Sequence, residues 1–329
     1  MSGRRGHALP LSIAAVSALF LAALAGCSGE GVPSPRPSAS ASPTPLAPKT
    51  PPGLTPISRA DFQKALSDVD AALGPGFGAV GGAQTPSDLS GALGAVALNL
   101  GVQADALDRL RPPLPSVTAT KQLAAALRSL SKDLTAVATD ADIQRVCTGA
   151  SGMPHVANSP GADAFRLAFL ALITANPGHP YTFGAFLPGA GPDPNRRPGN
   201  GALPGGRRGG YGKLTVDNQR TVDTVVKIMS GGDLIRAIYV QAGAQATVDA
   251  MPNGTYEAFY TSGTDWDDGG RRFTRDCEFE KFDDPLQYTT RTTSTAIEYS
   301  VWTLTLLRTS SLGSGAPTSP VEAGAFPGA

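Results

Sequence analysis

The sequence predicts an α+β protein in which a small antiparallel helical bundle is followed by an antiparallel β-sandwich. Two observations lead there. Apolar residues recur at intervals of three and four from Ile57 to about Ala175, the period of helices that each bury one face. From Lys213 to Arg308 the period becomes two, in short runs parted by glycine-rich turns with no helical stretch between them.

Ser58 with Asp61 starts a first helix carrying Phe62, Ala65, Leu66, Val69 and Leu73, and the glycine-rich stretch 74–82 is expected to end it. Thr85-Pro86 with Asp88 opens a second, with Leu89, Leu93, Leu100, Leu107 and Leu110 on one face and a kink expected near Gly101. Pro112-Pro113 stops it. A third helix is expected over about 116–138 through Leu123, Leu127, Leu130 and Leu134, and a fourth over 161–175 through Phe165, Leu167, Phe169, Leu170 and Leu172. None of these stands alone, so residues 57–175 read as a bundle.

Residues 176–212 are rich in Gly, Pro and Arg, including Asn195-Arg196-Arg197-Pro198 and Gly206-Arg207-Arg208-Gly209. A solvated linker is the plainer reading, and a basic arm for an acidic envelope polymer the sharper one. Strands then follow over 214–216, 222–229, 234–240, 246–248, 255–261, 273–279 and 297–306, giving a sandwich over 213–308. The tail 309–329, rich in Ser, Gly and Pro, is expected to be disordered.

The first twenty-six residues have a different character. Arg4 and Arg5 precede an apolar run from Leu11 to Leu24, closed by Leu24-Ala25-Gly26-Cys27. The run is short for a membrane span, and the whole reads as a secretion signal over 1–26. Its last four residues resemble the bacterial lipobox. That resemblance implies lipidation of Cys27, removal of the signal, and anchorage to the outer face of a membrane. Two acyl chains hold stably where one holds only marginally. Residues 27–56 then form a Pro/Ser-rich stalk, which extends to roughly 90 Å at about 3.1 Å per residue.

A second resemblance is more local. Ala242-Gly243, Val248 and Met251-Pro252-Asn253-Gly254-Thr255-Tyr256 are similar to the turn and tyrosine strand of transthyretin-like and collagen-adhesin-B-like sandwich domains. These mostly serve as binding or spacer modules and share no catalytic residues.

Charge excludes a class of partner. With 27 basic and 27 acidic side chains, no net field favours nucleic acid. Chemistry is sparse as well. His155 and His179 have no Cys, Asp or Glu at ligand spacing, which argues against zinc, and Ser151 near His155 lacks a nucleophile-elbow motif. Glu257, Asp276, Glu278 and Asp284 are the acids from which a glycoside-cleaving pair would be drawn, and Tyr256, Tyr260, Tyr288, Tyr299 and Trp302 read as core rather than a sugar platform.

The densest polar group is Asp265-Trp266-Asp267-Asp268, followed by Gly269-Gly270-Arg271-Arg272. Its plainer reading is a hairpin turn whose acids pair with the arginines. The alternatives are a ligand loop with an exposed tryptophan, or a calcium loop, although the twelve-residue calcium pattern lacks its closing Glu. Cys147 and Cys277 either form a disulfide, as exported thiols often do, or Cys277 simply points into a core.

The function expected from these features is a membrane-anchored extracytoplasmic lipoprotein that binds or scaffolds. Its partner would be another envelope protein or a cell-wall polymer. An envelope enzyme acting on glycan and a small-ligand-binding lipoprotein are the alternatives.

Overall fold

The computed structural model describes residues 55–203, 206–307 and 317–327; the expected signal, Cys27 and most of the stalk lie outside them. No helix among the described residues is long and apolar enough to cross a membrane.

The helical part opens with α1 (Arg59–Gly82), capped by Ser58, whose hydroxyl accepts from the Asp61 N–H at 3.1 Å. The expected glycine break at 74–82 does not occur: α1 continues through Pro75 to Gly82. Its buried stripe of Phe62, Leu66, Val69 and Leu73 carries on into Phe77 and Val80, so tertiary burial outweighs the poor propensity of glycine and proline. Gly76 has a positive role there, since a Cβ at that position would lie 2.7 Å from Val96 Cγ2 on the next helix. That helix, α2 (Pro86–Arg109), starts on the Thr85 cap with proline in its first turn, as its sequence predicts. Next come α3 (Val117–Asp142) and α5 (Pro160–Thr174), close to their expected spans, with α4 (Gly149–Ala157) between them. The periodicity does not reveal α4. It is nine residues long with two glycines and Pro154, and Gly149 sits so close to α1 that a Cβ would fall 2.2 Å from the Val80 carbonyl.

Residues 176–203 depart from the solvated linker expected of them. Tyr181, Phe183 and Phe186 are buried in the helical core. Phe183 and Phe186 join Phe77 and Phe165 in an aromatic cluster with ring centroids 5.0 to 5.9 Å apart. The chain then runs along the β-region as a strap, described below.

The strands are β1 (Gly212–Asn218), β2 (Asp223–Ser230), β3 (Asp233–Val240), β4 (Gln245–Met251), β5 (Gly254–Asp267) and β6 (Arg272–Phe282). Five shorter ones follow: β7 (Leu286–Tyr288), β8 (Thr290–Thr292), β9 (Ile297–Tyr299), β10 (Val301–Leu306) and β11 (Thr318–Pro320). A three-stranded sheet runs β10-β1-β4, a six-stranded sheet runs β11-β6-β5-β2-β3 with β7 paired to β5, and β8-β9 form a hairpin. The two larger sheets enclose one core. Leu214, Val216, Val248, Met251, Leu304 and Leu306 of the small sheet meet Val226, Ile228, Ile238, Val240 and Tyr260 of the large one. One pairing breaks the antiparallel expectation: β10 lies parallel to β1, Lys213 opposite Val301 and Asn218 opposite Leu306. The chain between them is long enough for the crossover that a parallel pair requires.

The tail expected to be disordered is ordered over 317–327. There β11 extends the large sheet beside β6, and Phe326 is buried against Phe259 and Phe279.

The helical part and the large sheet are joined directly. Residues 144–147 lie along β6: Cys147 donates its N–H to the Thr274 carbonyl at 2.8 Å, Cys277 to the Gln144 carbonyl at 3.0 Å and Asp276 to the Arg145 carbonyl at 3.1 Å. Cys147 and Cys277 form a disulfide at the same place, with Cα atoms 6.4 Å apart. The bridge closes a loop across 130 residues of sequence, so the unfolded chain loses much of its freedom. Replacing both cysteines by serine is expected to lower unfolding free energy by about 3–5 kcal/mol. Urea denaturation of oxidised native and double-variant protein measures this.

Candidate ligand pocket

The structure does not bring the Asp265–Asp268 run together as a loop that offers oxygen ligands. Asp265, Trp266 and Asp267 end strand β5, and only Asp268 belongs to the β5–β6 turn. Trp266 is 2 % exposed and packs edge-on against Phe273 and Tyr239, so the exposed stacking platform is corrected to a core residue. Its indole N–H donates to Asp268 Oδ1 at 2.8 Å. The β5–β6 pairing shifts register between Ser262 and Thr264, with the extra residue on β6, and beyond the shift Trp266 lies opposite Phe273.

Asp265 is occupied by a partner no turn could supply. Arg196 of the strap forks onto it through Nε at 3.0 Å and a terminal nitrogen at 2.7 Å, and the Arg196 N–H adds a third bond at 2.7 Å. Thr274 donates a fourth at 2.6 Å. Arg196 also reaches Asp267 at 2.6 Å, so Asp265 and Asp267 pair with Arg196 rather than with Arg271 and Arg272. Burial alone raises the Asp265 pKa, but the bonds from Arg196 and Thr274 outweigh it and leave the carboxyl below its ordinary value.

A second clamp lies beside the first. Arg197 holds Asp223 through bonds of 2.7 and 2.8 Å, while Tyr239 and the Ala242 N–H also donate to that carboxylate. Burial raises this pKa too, and again the hydrogen bonds win. A third arginine, Arg275, meets Asp193 at 2.8 Å. The basic stretch expected to face solvent or an acidic polymer is therefore committed, at Arg196 and Arg197, to the protein's own acids.

The other sequence candidates separate. Ser151 is fully buried with its hydroxyl 3.3 Å from Asp193, while His155 Nδ1 faces the Ser151 carbonyl at 2.9 Å rather than its hydroxyl. No nucleophile–base pair results. Glu257 pairs with Lys281, Glu278 with Arg220, and Asp276 accepts from Thr264. Among the described residues no group of three His, Cys, Asp or Glu side chains is placed to hold a metal ion. Tyr256, Tyr260 and Tyr288 are buried as expected of core, whereas Tyr299 in the β8–β9 hairpin and Trp302 on the edge strand β10 of the small sheet stay 40 % and 38 % exposed.

What does form is a cavity of about 480 Å³ on the helical side of the large sheet. Leu203, Val225, Leu234, Ala237 and Trp266 make its apolar walls. Lys227, Arg271 and Asp268 supply its charge. Lys227 is 4 % exposed; its ammonium donates to the Pro327 carbonyl at 2.9 Å and stands 5.0 Å from the Phe326 ring centre. Burial first, then the nearby Arg272 and Arg271, push its pKa down to about 8. The sequence carried a signal for this residue, a lysine inside the otherwise apolar run Val225-Val226-Lys227-Ile228-Met229.

Comparison of the chain with protein families, with curated proteins and with solved structures found no match.

Two outcomes follow for stability. Because Asp265 and Asp223 have depressed pKa values in the folded state, their contribution is complete above about pH 4 and is lost as pH falls through those lower values. Asp265→Asn is expected to cost roughly 2–4 kcal/mol at pH 7 and to flatten the acid limb of stability against pH in urea titrations. Lys227 works in the opposite sense. Its folded pKa lies below the unfolded one, so the folded state bears the cost of a buried ammonium below pH 8 and is relieved of it as pH rises toward 10.5. Lys227→Met is expected to be the more stable protein at pH 7 by roughly 1–3 kcal/mol, a gap that closes as pH approaches 10.

Proposed function

We propose that the protein is an exported lipoprotein, anchored through lipid on Cys27, whose folded part serves a binding role at the cell envelope. The observation that carries this reading is the disulfide between Cys147 and Cys277, the two cysteines that remain beyond Cys27. A buried bridge of this kind forms and persists outside the reducing cytoplasm, which is where the lipobox-like Leu24-Ala25-Gly26-Cys27 would send the chain. The binding half is supported by how the charged groups are used. Asp223 and Asp265 are spent on arginine clamps that fix the sheet, while the Lys227 cavity is lined by apolar walls and a few charged groups, as ligand pockets are.

The test is fractionation of cells expressing the native chain or Cys27→Ser. The native protein is expected in the membrane fraction with an incorporated fatty acid, and the variant in neither state. A native chain that stays in the soluble cytoplasmic fraction, with Cys147 and Cys277 free to alkylation, would overturn the reading.

A further inference from the structure

We infer that the end of the helical bundle at which the chain enters the fold is a docking face for an anionic phospholipid surface, bound through Arg109, Arg111 and Lys121 and seated by Leu114. The inference rests on the lipid anchor proposed above at Cys27 and adds a second, reversible contact with the same membrane.

Place comes first. Three helix ends gather here: α1 begins at Arg59, α2 finishes at Arg109 and α3 starts at Val117. The segment before α1 is fixed to the segment after α2, since the Ile57 N–H donates to the Arg111 carbonyl at 2.8 Å. Pro56, Arg109, Arg111, Leu114 and Lys121 surround one open cavity of about 490 Å³. About thirty residues separate Cys27 from Pro56. Whatever course they take, they join the fold at this face, so a lipid on Cys27 ties the membrane to this end of the bundle. A tether of that length keeps the face at an effective concentration that weak contacts can use.

Charge selects the partner. Arg109, Arg111 and Lys121 are exposed, and among the described residues none of the three has a hydrogen-bond or ion-pair partner for its side chain. One carboxylate, Asp108, lines the same cavity, and Arg128 already holds it at 2.6 Å, together with Asp105 at 2.7 Å. Three cations therefore stand beside one neutralised acid. Other arginines of the chain are used differently: Arg196, Arg197 and Arg275 are clamped onto carboxylates of the fold itself. Cations left over at the face where the anchor arrives are complementary to anionic headgroups.

Leu114 fixes the kind of surface. It is 78 % exposed on the short turn Leu114–Ser116, held between Pro113 and Pro115. The two prolines restrict this backbone, so the leucine is displayed with little further ordering to undergo on contact. A soluble polyanion has no place for such a side chain. Headgroups lying over an acyl layer accept both the cations and the leucine.

The experiment uses the whole chain, lipidated at Cys27 and reconstituted in vesicles, with a fluorophore on the thiol of Leu114→Cys or, as control, Leu98→Cys. Leu98 is as exposed, at 77 %, but sits midway along α2. Cys147 and Cys277 are bonded to each other, so only the introduced thiol reacts. Vesicles of phosphatidylcholine are compared with vesicles in which phosphatidylglycerol replaces part of it, each with a quencher on the acyl chains. The Leu114 label is expected to be quenched on anionic vesicles and not on neutral ones, and to be released in about 1 M sodium chloride, where the screening length is about 3 Å. The Leu98 label stays unquenched on both. Each cation near such a surface is worth about fivefold, so Arg109→Gln, Arg111→Gln and Lys121→Gln together are expected to lower the docking equilibrium by at least about tenfold. All three side chains are exposed, and the triple variant is expected to keep the native urea midpoint. No quenching at Leu114 on anionic vesicles, equal quenching of the two labels, or quenching that survives the triple substitution overturns the inference. A face that takes soluble phosphate or a second copy of the chain instead gives the first of these results. Failure of the anchor reads differently, because a chain without lipid on Cys27 does not stay with neutral vesicles. For that chain, partition from solution onto anionic vesicles that the triple variant loses sustains the face, and its absence overturns it.

Discussion

Strand β2 is buried on both faces from Asp223 to Met229, and this condition organises the rest of the molecule. A strand in that position cannot leave either row of side chains to water, so the sheet needs two covers. The small sheet provides one of them, an apolar layer that meets Val226 and Ile228. The other cover is assembled from pieces that no single element supplies: residues 144–147, the strap from Asp193 to Leu203, and the segment that ends in Phe326 and Pro327. Asp223 and Asp265 lie under this second cover. Buried carboxylates are tolerable only when paired and hydrogen-bonded, which is why Arg196 and Arg197 are adjacent in a strap that must follow the sheet closely.

That second cover is made mostly of irregular chain, and irregular chain is costly to order, at about 1–2 kcal/mol per residue for the backbone. Three devices offset the cost. The arginine forks give charge-assisted bonds in fixed geometry, the disulfide restricts the unfolded chain, and Gly206 allows contact that a side chain would block: a Cβ there would fall 2.0 Å from the Ile235 carbonyl. The same looseness of construction explains the cavity. Where a helix would have interdigitated with Val225, Lys227 and Ala237, a strap leaves space.

How much of this the sequence discloses depends on the range of the interaction. Local periodicity shows four of the five helices and the main strands, because the apolar stripe of α3 or the alternation of β2 and β3 is written within a dozen residues. It fails where burial is decided from far away. Phe77 and Val80 keep α1 helical through a glycine-rich stretch because another helix waits for them. Tyr181, Phe183 and Phe186 are isolated aromatics in a proline-rich segment, with no period to betray them. Trp266 looks exposed when read among three acids, but the acid beside it is neutralised by an arginine that lies 69 residues earlier in the chain. Lys227 is the converse case, since one lysine among four apolar strand residues is visible in the sequence and means little until the fold shows both faces covered.

The disulfide, Trp266 and the cavity are therefore parts of one arrangement. Cys147, Cys277, Trp266, Phe273, Tyr239 and Val225 form a single apolar cluster on the helical side of the sheet. Val225 and Trp266 also line the cavity, so the wall a ligand would meet is the outer surface of the cluster that the disulfide closes. In an interior packed at near-crystal density, removing the bridge relaxes its neighbours first, and these are the residues that hold the indole in place. Oxidation of the two cysteines thus does more than add stability. It also ties the aromatic cluster of Trp266, Phe273 and Tyr239 to the segment that carries Cys147.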